Sequence, residues 1–167
     1  MQWRTATITP IFKKGISSDP GNYRPISLTS TCCKLLESLI KDVILIHCAS
    51  NSIISKKQHG FLSRRSTDGN LLECINDWTL ALSNRNSVGA VYVDFSKAFD
   101  SVCHTKLIAK LSAVGIGGNL LSWIGEFLRD RTHCTKVGSS ISAPTRVLSG
   151  VPQGSVLGPL LFVLYII

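Results

Sequence analysis

The sequence predicts an α+β fold on three observations. Apolar residues recur at helical spacing, which indicates amphipathic helices at about 33–48 and from Thr67 onward. The short run 88–95 (VGAVYVDF) is rich in β-branched and aromatic residues and apolar on both faces, as is typical of a central strand buried on both sides. Gly and Pro interrupt residues 1–30, which favours extended segments joined by turns. Because helices and strands alternate irregularly, the fold class is α+β.

Three more helices and a hairpin are predicted in the C-terminal part. Apolar spacing indicates helices over 104–114 and 119–129, and a glycine ends the first of them. The segments THCTKV and PTRVL flank a Gly-Ser-Ser turn at 138–140, which is a hairpin pattern. Pro159 is typical of the first turn of a helix, so the apolar end of the sequence is predicted to be helical.

Size and composition restrict the class of protein. The 167 residues suit one domain, and 44% hydrophobic with 17% charged residues exclude a disordered polar chain. The longest apolar run, 156–167, is shorter than the ~20 residues that span a bilayer. The first residues lack the apolar core and cleavage site of a secretory signal. We therefore expect an intracellular protein, in the nucleus or cytoplasm, with no membrane partner.

The positive charge is concentrated at one end of the sequence. Residues 1–65 contain ten Lys and Arg against three Asp and Glu, and so hold most of the net charge of +8. Such a segment attracts a polyanion, because phosphate contacts release counterions. A basic surface that keeps the chain soluble explains the same charge equally well.

Six cysteines raise the question of a zinc site. No C-x-x-C pair occurs, so the clustered ligands of common zinc sites are absent from the sequence. The dipeptides His47-Cys48 and His133-Cys134 could meet in space as four ligands. Buried, reduced thiols are the ordinary interpretation for an intracellular chain.

Asp94 closes the predicted strand and is the best candidate for a metal ligand. Rigid strands fix a carboxylate, and hard cations prefer oxygen. The ordinary alternative is that Asp94 caps the following turn. Asp100 could be a second ligand, but it precedes a helix and suits an N-cap. Glu126 and Asp130 fall on or beside a surface helix. One carboxylate does not make a two-metal site.

Two further segments carry groups that suit phosphate or base contacts. The Gly-containing loop 149–155 (SGVPQGS) presents backbone N–H groups and the amide of Gln153. Lys13, Lys14 and Arg24 lie in turn-rich segments, and arginine suits bidentate contact with phosphate. Solvent-exposed charges are the alternative for these three residues.

Six segments occur in an order that identifies a family, and they cover nearly the whole sequence. They are PIFKKG, NYRPISLTSTCCKLLE, QHGFLSRRSTDGNLLECINDW, AVYVDFSKAFDSVCHTKL, GIGGNLLSWIGEFLRDR and SGVPQGSVLGPLLFVLYI. This order resembles the reverse transcriptase domain of non-long-terminal-repeat (non-LTR) retrotransposons, the jockey-like group in particular. The resemblance implies a right-hand polymerase, with fingers at residues 1–88. Residues 89–167 would be a partial palm with a fingers-side insertion.

The resemblance assigns a role to three residues around the predicted strand. Asp94 matches the first catalytic aspartate, which binds both Mg²⁺ (or Mn²⁺) ions of the intact enzyme. Phe95 matches the position whose backbone carbonyl helps to hold one ion. Phe99 resembles the aromatic steric gate that excludes a ribose 2′-hydroxyl. Packing as a core aromatic is the alternative for Phe99, and it is compatible with gating.

The resemblance also implies nucleotide ligands. Arg24 in NYRPIS resembles the fingers arginine on the incoming triphosphate. Lys14 is taken as the accompanying lysine, with Lys13 as the other possible register. Gln153 in the PQG loop resembles the residue near the nucleotide's 3′ side and the template base.

The implied partners are an RNA template, a DNA primer, deoxynucleoside triphosphates and the remainder of a retroelement polyprotein. Arg64 and Arg65 fall in the segment that resembles the family's template-side block.

In the family, a hairpin with an F/Y-A-D-D box follows and supplies two more metal-binding carboxylates. Residues 1–167 do not contain this box. We therefore expect a fragment of an RNA-directed DNA polymerase that is inactive by itself. A decayed, non-catalytic remnant that at most binds RNA remains open, as does a fragment similar to group II intron maturases.

Overall fold

The computed structural model describes residues 4–167, which form five helices and a five-stranded mixed sheet. The strands are β1 (Thr5–Phe12), β2 (Tyr23–Leu28), β3 (Thr132–Val137), β4 (Ser140–Ile141) and β5 (Thr145–Arg146). The helices are α1 (Thr31–Ser50), α2 (Thr67–Ser83), α3 (His104–Ala113), α4 (Gly118–Leu128) and α5 (Gly158–Ile166). The predicted mixture of helices and strands is confirmed, and every predicted helix forms.

The sheet joins the N-terminal strands to the strands that follow α4. Its order is β2-β1-β3-β4, with β5 also paired to β3. Strand β1 runs antiparallel to β2 and parallel to β3. The predicted hairpin around residues 138–140 forms as β3–β4, and β5 returns along the other end of β3. The residues predicted to be extended at the N-terminus therefore share one sheet with the hairpin that follows α4.

The hydrophobic core lies among α1, α3, α4 and α5. Helix α5 packs against α3, and α3 packs against α4. The apolar side chains with 0% exposure that come from these helices are Ile44, Leu107, Leu111, Ile124, Leu160 and Leu161. Each such side chain contributes about 1.5–3 kcal/mol through the apolar area that it removes from water. Helix α5 is apolar on every side, and it lies in the core because a helix of that composition has no polar face for solvent.

The predicted central strand at 88–95 is wrong. These residues belong to no helix or strand among residues 4–167, and each of them is exposed. Val91 is 90% exposed and Tyr92 is 87% exposed. A β-strand is stabilised by cross-strand pairs and by cover on its faces, and neither is present here. Helix α2, which precedes this segment, likewise contains no buried residue.

Within residues 4–167, no helix is long and apolar enough to cross a membrane.

Candidate functional site

An open cleft of ≈ 940 Å³ lies over one face of the sheet. Its floor comes from alternate residues of β1, β2 and β3, because successive side chains of a strand point to opposite faces. Lys13, the turn 97–100 and Gln153 also line the cleft. Three segments that are distant in sequence therefore meet around one concave surface.

The loop 149–157, which carries Gln153, is held to the turn before α3. The N–H groups of Gly150 and Val151 donate to the carbonyl oxygens of Val102 (2.8 Å) and Phe99 (2.9 Å). Gly150 has φ +90°, and a Cβ there would lie 2.8 Å from the Phe99 oxygen. Only glycine fits this position, because both the backbone angle and the close approach exclude a side chain.

The same loop is also held to strand β2. The Ser27 N–H donates to the carbonyl oxygen of Gln153 at 2.7 Å. Gly154 has φ +110°, and a Cβ there would lie 2.7 Å from the Ser27 oxygen. The backbone at Gln153 is thus fixed against the sheet, while its half-buried side chain borders the cleft.

Phe99 lies in the wall of the cleft and also packs against other aromatic rings. Its ring stacks on Phe162 of α5, with centroids 5.0 Å apart, and meets Phe61 edge-on at 5.7 Å. Both geometries are favourable for aromatic pairs. The packing interpretation and the cleft position are therefore satisfied together.

Glu37 is a buried residue that the sequence analysis did not single out. Its carboxylate on α1 is 0% exposed and accepts the N–H groups of Val156 (2.8 Å) and Leu157 (3.0 Å), just before α5. The thiol of Cys33 donates to the other carboxylate oxygen at 3.4 Å. A single acid within the apolar run LLESLI was the only signal in the sequence, since a buried charge needs such partners.

Arg131 is a buried cation whose pKa is influenced by the Glu37 carboxylate. It is 3% exposed, donates to the Phe127 oxygen at 3.0 Å, and lies over the Phe127 ring at 4.9 Å. Burial lowers the pKa of the Arg131 guanidinium, while the charge of the Glu37 carboxylate acts in the opposite direction. Burial also raises the pKa of the Cys33 thiol, and the Glu37 carboxylate adds to that rise.

The structure does not bring Asp94 to the cleft. Asp94 and Phe95 are exposed at the end of the unpaired segment, and neither lines the cleft. Asp100 lines it, but Asp100 is not the predicted N-cap, because α3 begins at His104 with Cys103 in that position.

Nor do the described residues form a metal cluster: residues 4–167 contain no group of three His, Cys, Asp or Glu suited to a metal ion. A lone exposed carboxylate does not fit a two-metal centre.

The zinc alternative gains no support from the surroundings of His47. Its Nε2 lies 2.8 Å from the Val114 oxygen, at the end of α3. All six cysteines, including Cys48 and Cys134, are free thiols.

The structure separates the three basic candidates for triphosphate contact. Lys13 lines the cleft, and its N–H donates to the Asn22 oxygen at 2.8 Å. Lys14 is exposed and does not line it. Arg24 is exposed on β2 opposite Ile11, one residue from the cleft-lining Tyr23, and so points to the other face of the sheet.

Arg64 and Arg65 are exposed in the loop between α1 and α2. Arg64 adopts φ 60°, and the next residue but one, Ser66, caps α2 by accepting the Gly69 N–H at 3.0 Å. The same loop contains Phe61, which contacts Phe99. The two arginines therefore lie on a loop that reaches the aromatic wall of the cleft.

Comparisons with known proteins identify the family of this chain. The family model described as "Reverse transcriptase (RNA-dependent DNA polymerase)" matches residues 11–167. The "Probable RNA-directed DNA polymerase from transposon BS" of Drosophila melanogaster is 35% identical over 162 residues, covering 96% of this chain and 18% of that protein. The "RNA-directed DNA polymerase from mobile element jockey" of the same species is 33% identical, again covering 96% and 18%.

A more distant relative extends the comparison beyond the jockey group. The "Retrovirus-related Pol polyprotein from type-1 retrotransposable element R2" of Popillia japonica is 28% identical, covering 96% of this chain and 22% of that protein. The chain thus spans less than a quarter of the length of these relatives. The family match extends over most of the chain, and the chain belongs to the reverse transcriptase (RNA-dependent DNA polymerase) family, as a segment of the kind found in non-LTR retrotransposon polymerases.

Proposed function

We propose that this chain supplies the nucleotide-binding side of an RNA-directed DNA polymerase site. The substrates are a deoxynucleoside triphosphate, an RNA template and a DNA primer. The cleft carries this proposal, because it joins Lys13, Phe99 and Gln153 from three separate family segments. A volume of ≈ 940 Å³ suits a ligand of nucleotide size.

Each of the three side chains offers a contact that a nucleotide needs. The Lys13 ammonium can bind phosphate oxygens as a point charge. The Phe99 ring presents a flat apolar surface to a sugar, and its contacts with Phe61 and Phe162 hold that surface in place. Gln153 offers one amide donor and one acceptor to a base or sugar hydroxyl. We propose Lys13 in place of Lys14 for the phosphate contact, while Arg24 stays a prediction from the family.

The proposed division is a fingers subdomain at 1–88 and a partial palm at 89–167 with a fingers-side insertion. Support comes from the sheet, in which the insertion strand β3 pairs directly with β1. This pairing supports a fingers-side position for the hairpin.

Asp94 and Phe95 would hold Mg²⁺ together with carboxylates that residues 1–167 do not contain. Bound metal ions would lower the pKa of the attacking hydroxyl and neutralise the leaving pyrophosphate. Asp94 alone gives too few ligands, so we expect the chain alone to give no primer extension above an Asp94→Ala control. The exposure of Asp94 favours the second candidate function, in which the chain is a non-catalytic segment that binds RNA.

Nucleotide binding tests the proposal directly. We expect dTTP with Mg²⁺ to shift the amide resonances of Gln153 and Phe99 in an NMR titration of the ¹⁵N-labelled chain. Lys13→Ala should weaken this binding about tenfold, whereas the adjacent control Lys14→Ala should leave it within about twofold. Equal losses from both variants, or shifts spread over the whole basic surface, would contradict a defined site.

A further inference from the structure

We propose that Glu37 is a positioning residue for Gln153. Its buried carboxylate holds the loop 149–157 against α1 and so determines where Gln153 lies in the cleft. This inference rests on the proposed nucleotide-binding function and deepens it, because it names the residue that sets the geometry of that site.

The carboxylate of Glu37 bonds to two backbone N–H groups just before helix α5. One carboxylate oxygen accepts both the Val156 and Leu157 N–H groups, at 2.8 Å and 3.0 Å. These donors precede helix α5, where backbone N–H groups lack partners within the helix and the helix dipole favours a negative charge. A neutral apolar residue at position 37 would leave the buried Leu157 N–H and the half-buried Val156 N–H without this partner.

A hydrogen-bonded turn from Pro152 to Gly158 contains both Gln153 and the two N–H groups that Glu37 accepts. The Ser155 hydroxyl donates to the Pro152 oxygen and accepts the Gly158 N–H, both at 2.9 Å. On the other side of Gln153, its own carbonyl accepts the Ser27 N–H at 2.7 Å. Gln153 therefore lies between a contact to β2 and a closed turn that Glu37 holds to α1.

Charge compensation explains why a carboxylate is tolerated at this depth. The buried Arg131 guanidinium acts on the same region with opposite charge, and the Cys33 thiol donates to the second oxygen of Glu37. Buried charges persist where such partners exist. Removing the negative charge at Glu37 weakens both the hold on the loop and this compensation.

A second tie of α1 provides a matched control. His47, ten residues along the same helix, bonds the Val114 oxygen at 2.8 Å and so links α1 to the end of α3. That link does not reach the loop 149–157. A His47→Gln variant therefore loosens α1 without touching the Gln153 loop.

The test is a double-mutant cycle on dTTP binding with Mg²⁺, using Glu37→Gln, Gln153→Ala and the double variant of the whole chain. We expect each single variant to weaken binding by about tenfold, and the double variant to be no weaker than Gln153→Ala, because both changes remove the same contact. His47→Gln should bind as the unaltered chain does. A merely structural role predicts independent losses that multiply in the double variant, and that result would overturn the proposal.

Amide resonances separate this proposal from the proposed function. If the unaltered chain does not bind dTTP, the nucleotide site is wrong, and Glu37 is judged on the Gln153 and Gly154 amides alone. Glu37→Gln must then shift these resonances and speed their hydrogen exchange, and unchanged amides would overturn it. If Glu37→Gln does not fold, the Val156 and Leu157 amides of the unaltered chain decide: protection supports the proposal, and exchange as fast as in the exposed segment 88–95 refutes it.

Discussion

The loop 149–157 and the segment 84–95 both carry a residue that matches a family motif, but they differ in backbone hydrogen bonding and in exposure. The loop has its backbone bonded to β2, to the turn before α3 and to the Glu37 carboxylate. In the segment 84–95 every residue is exposed and belongs to no helix or strand. Gln153 is thus fixed in place, whereas Asp94 is not.

This difference separates binding from catalysis within one chain. A nucleotide site works when its side chains are held before the ligand arrives. In the proposed nucleotide cleft, Phe99 and Gln153 meet that condition, because aromatic rings pack against Phe99 and a loop with three attachments carries Gln153. Asp94, which we propose as a metal ligand, lies on a segment with no comparable support, so we expect binding without catalysis.

The largest expected effect contrasts the core with α2. Leu161→Ala removes a side chain with 0% exposure and should lower the free energy of unfolding by about 2–5 kcal/mol. Leu82→Ala, the same change in a helix residue that is 62% exposed, should change it by less than about 0.5 kcal/mol. Urea unfolding measures both values. Losses of similar size would mean that α2 is covered in solution and that the contrast is wrong.

A glycine pair sharpens the comparison of the two segments. Gly154→Ala brings a Cβ to within 2.7 Å of the Ser27 oxygen at φ +110° and should destabilise the chain by about 1–3 kcal/mol. Gly89→Ala, in the exposed segment, meets nothing within 4 Å and should be neutral or slightly stabilising. Thermal unfolding of the two variants checks this. A tolerated Gly154→Ala would show that the loop is not held to β2.

RNA binding tests whether the loop between α1 and α2, which carries Arg64 and Arg65, makes defined contacts with the template. Charge reversal at Arg64 and Arg65 should weaken binding to single-stranded RNA and lower its salt slope by roughly 1.4, at roughly 0.7 for each phosphate contact. Fluorescence anisotropy at several salt concentrations measures both quantities.

Arg131 is not a suitable control for this experiment, because its guanidinium is buried. The exposed residues Lys106 and Lys136 provide a control with the same change in charge. Equal losses from the two pairs would indicate diffuse attraction rather than a template-side contact.

The smallest expected effect comes from the surface ion pair between Lys57 and Glu73, which lies near the start of α2. Hydrogen bonding to Lys57 lowers the pKa of Glu73 on α2 below its ordinary value of 4.5. Its contribution to stability is therefore present above that value and is lost as the pH falls through the folded pKa. Glu73→Gln should lower the melting temperature slightly at neutral pH, and the difference should vanish in acid. A difference that grows on acidification would contradict this sign.

How far the sequence predicts the structure depends on where each segment finds its partners. Helical periodicity predicted α1, and the apolar run beginning at Pro159 predicted α5, to within a few residues, because a helix makes its backbone bonds internally. The segment 88–95 has strand composition, but a strand needs neighbours that its own sequence does not contain. Motif order predicted that Phe99 and Gln153 serve one site, and they share one cleft.

Burial of charged residues was the part that sequence patterns missed. Glu37 lies in an apolar helical run that carries a family motif, and its 0% exposed carboxylate accepts the Leu157 N–H of the Gln153 loop. Arg131 follows α4 and is a residue type that is usually exposed. Both are buried because distant backbone groups, at Leu157 and Phe127, provide their partners, and such contacts depend on the tertiary fold.

Amide hydrogen exchange of the whole chain, read residue by residue, tests the contrast between the two segments most directly. We expect the amides of Gly150, Val151 and Leu157 to exchange at least on the order of a hundredfold more slowly than unstructured peptides, since each donates to a fixed acceptor. The amides of Val91 and Asp94 should exchange near the unstructured rate. Comparable protection in both segments would contradict the account, because Asp94 would then lie on a supported strand.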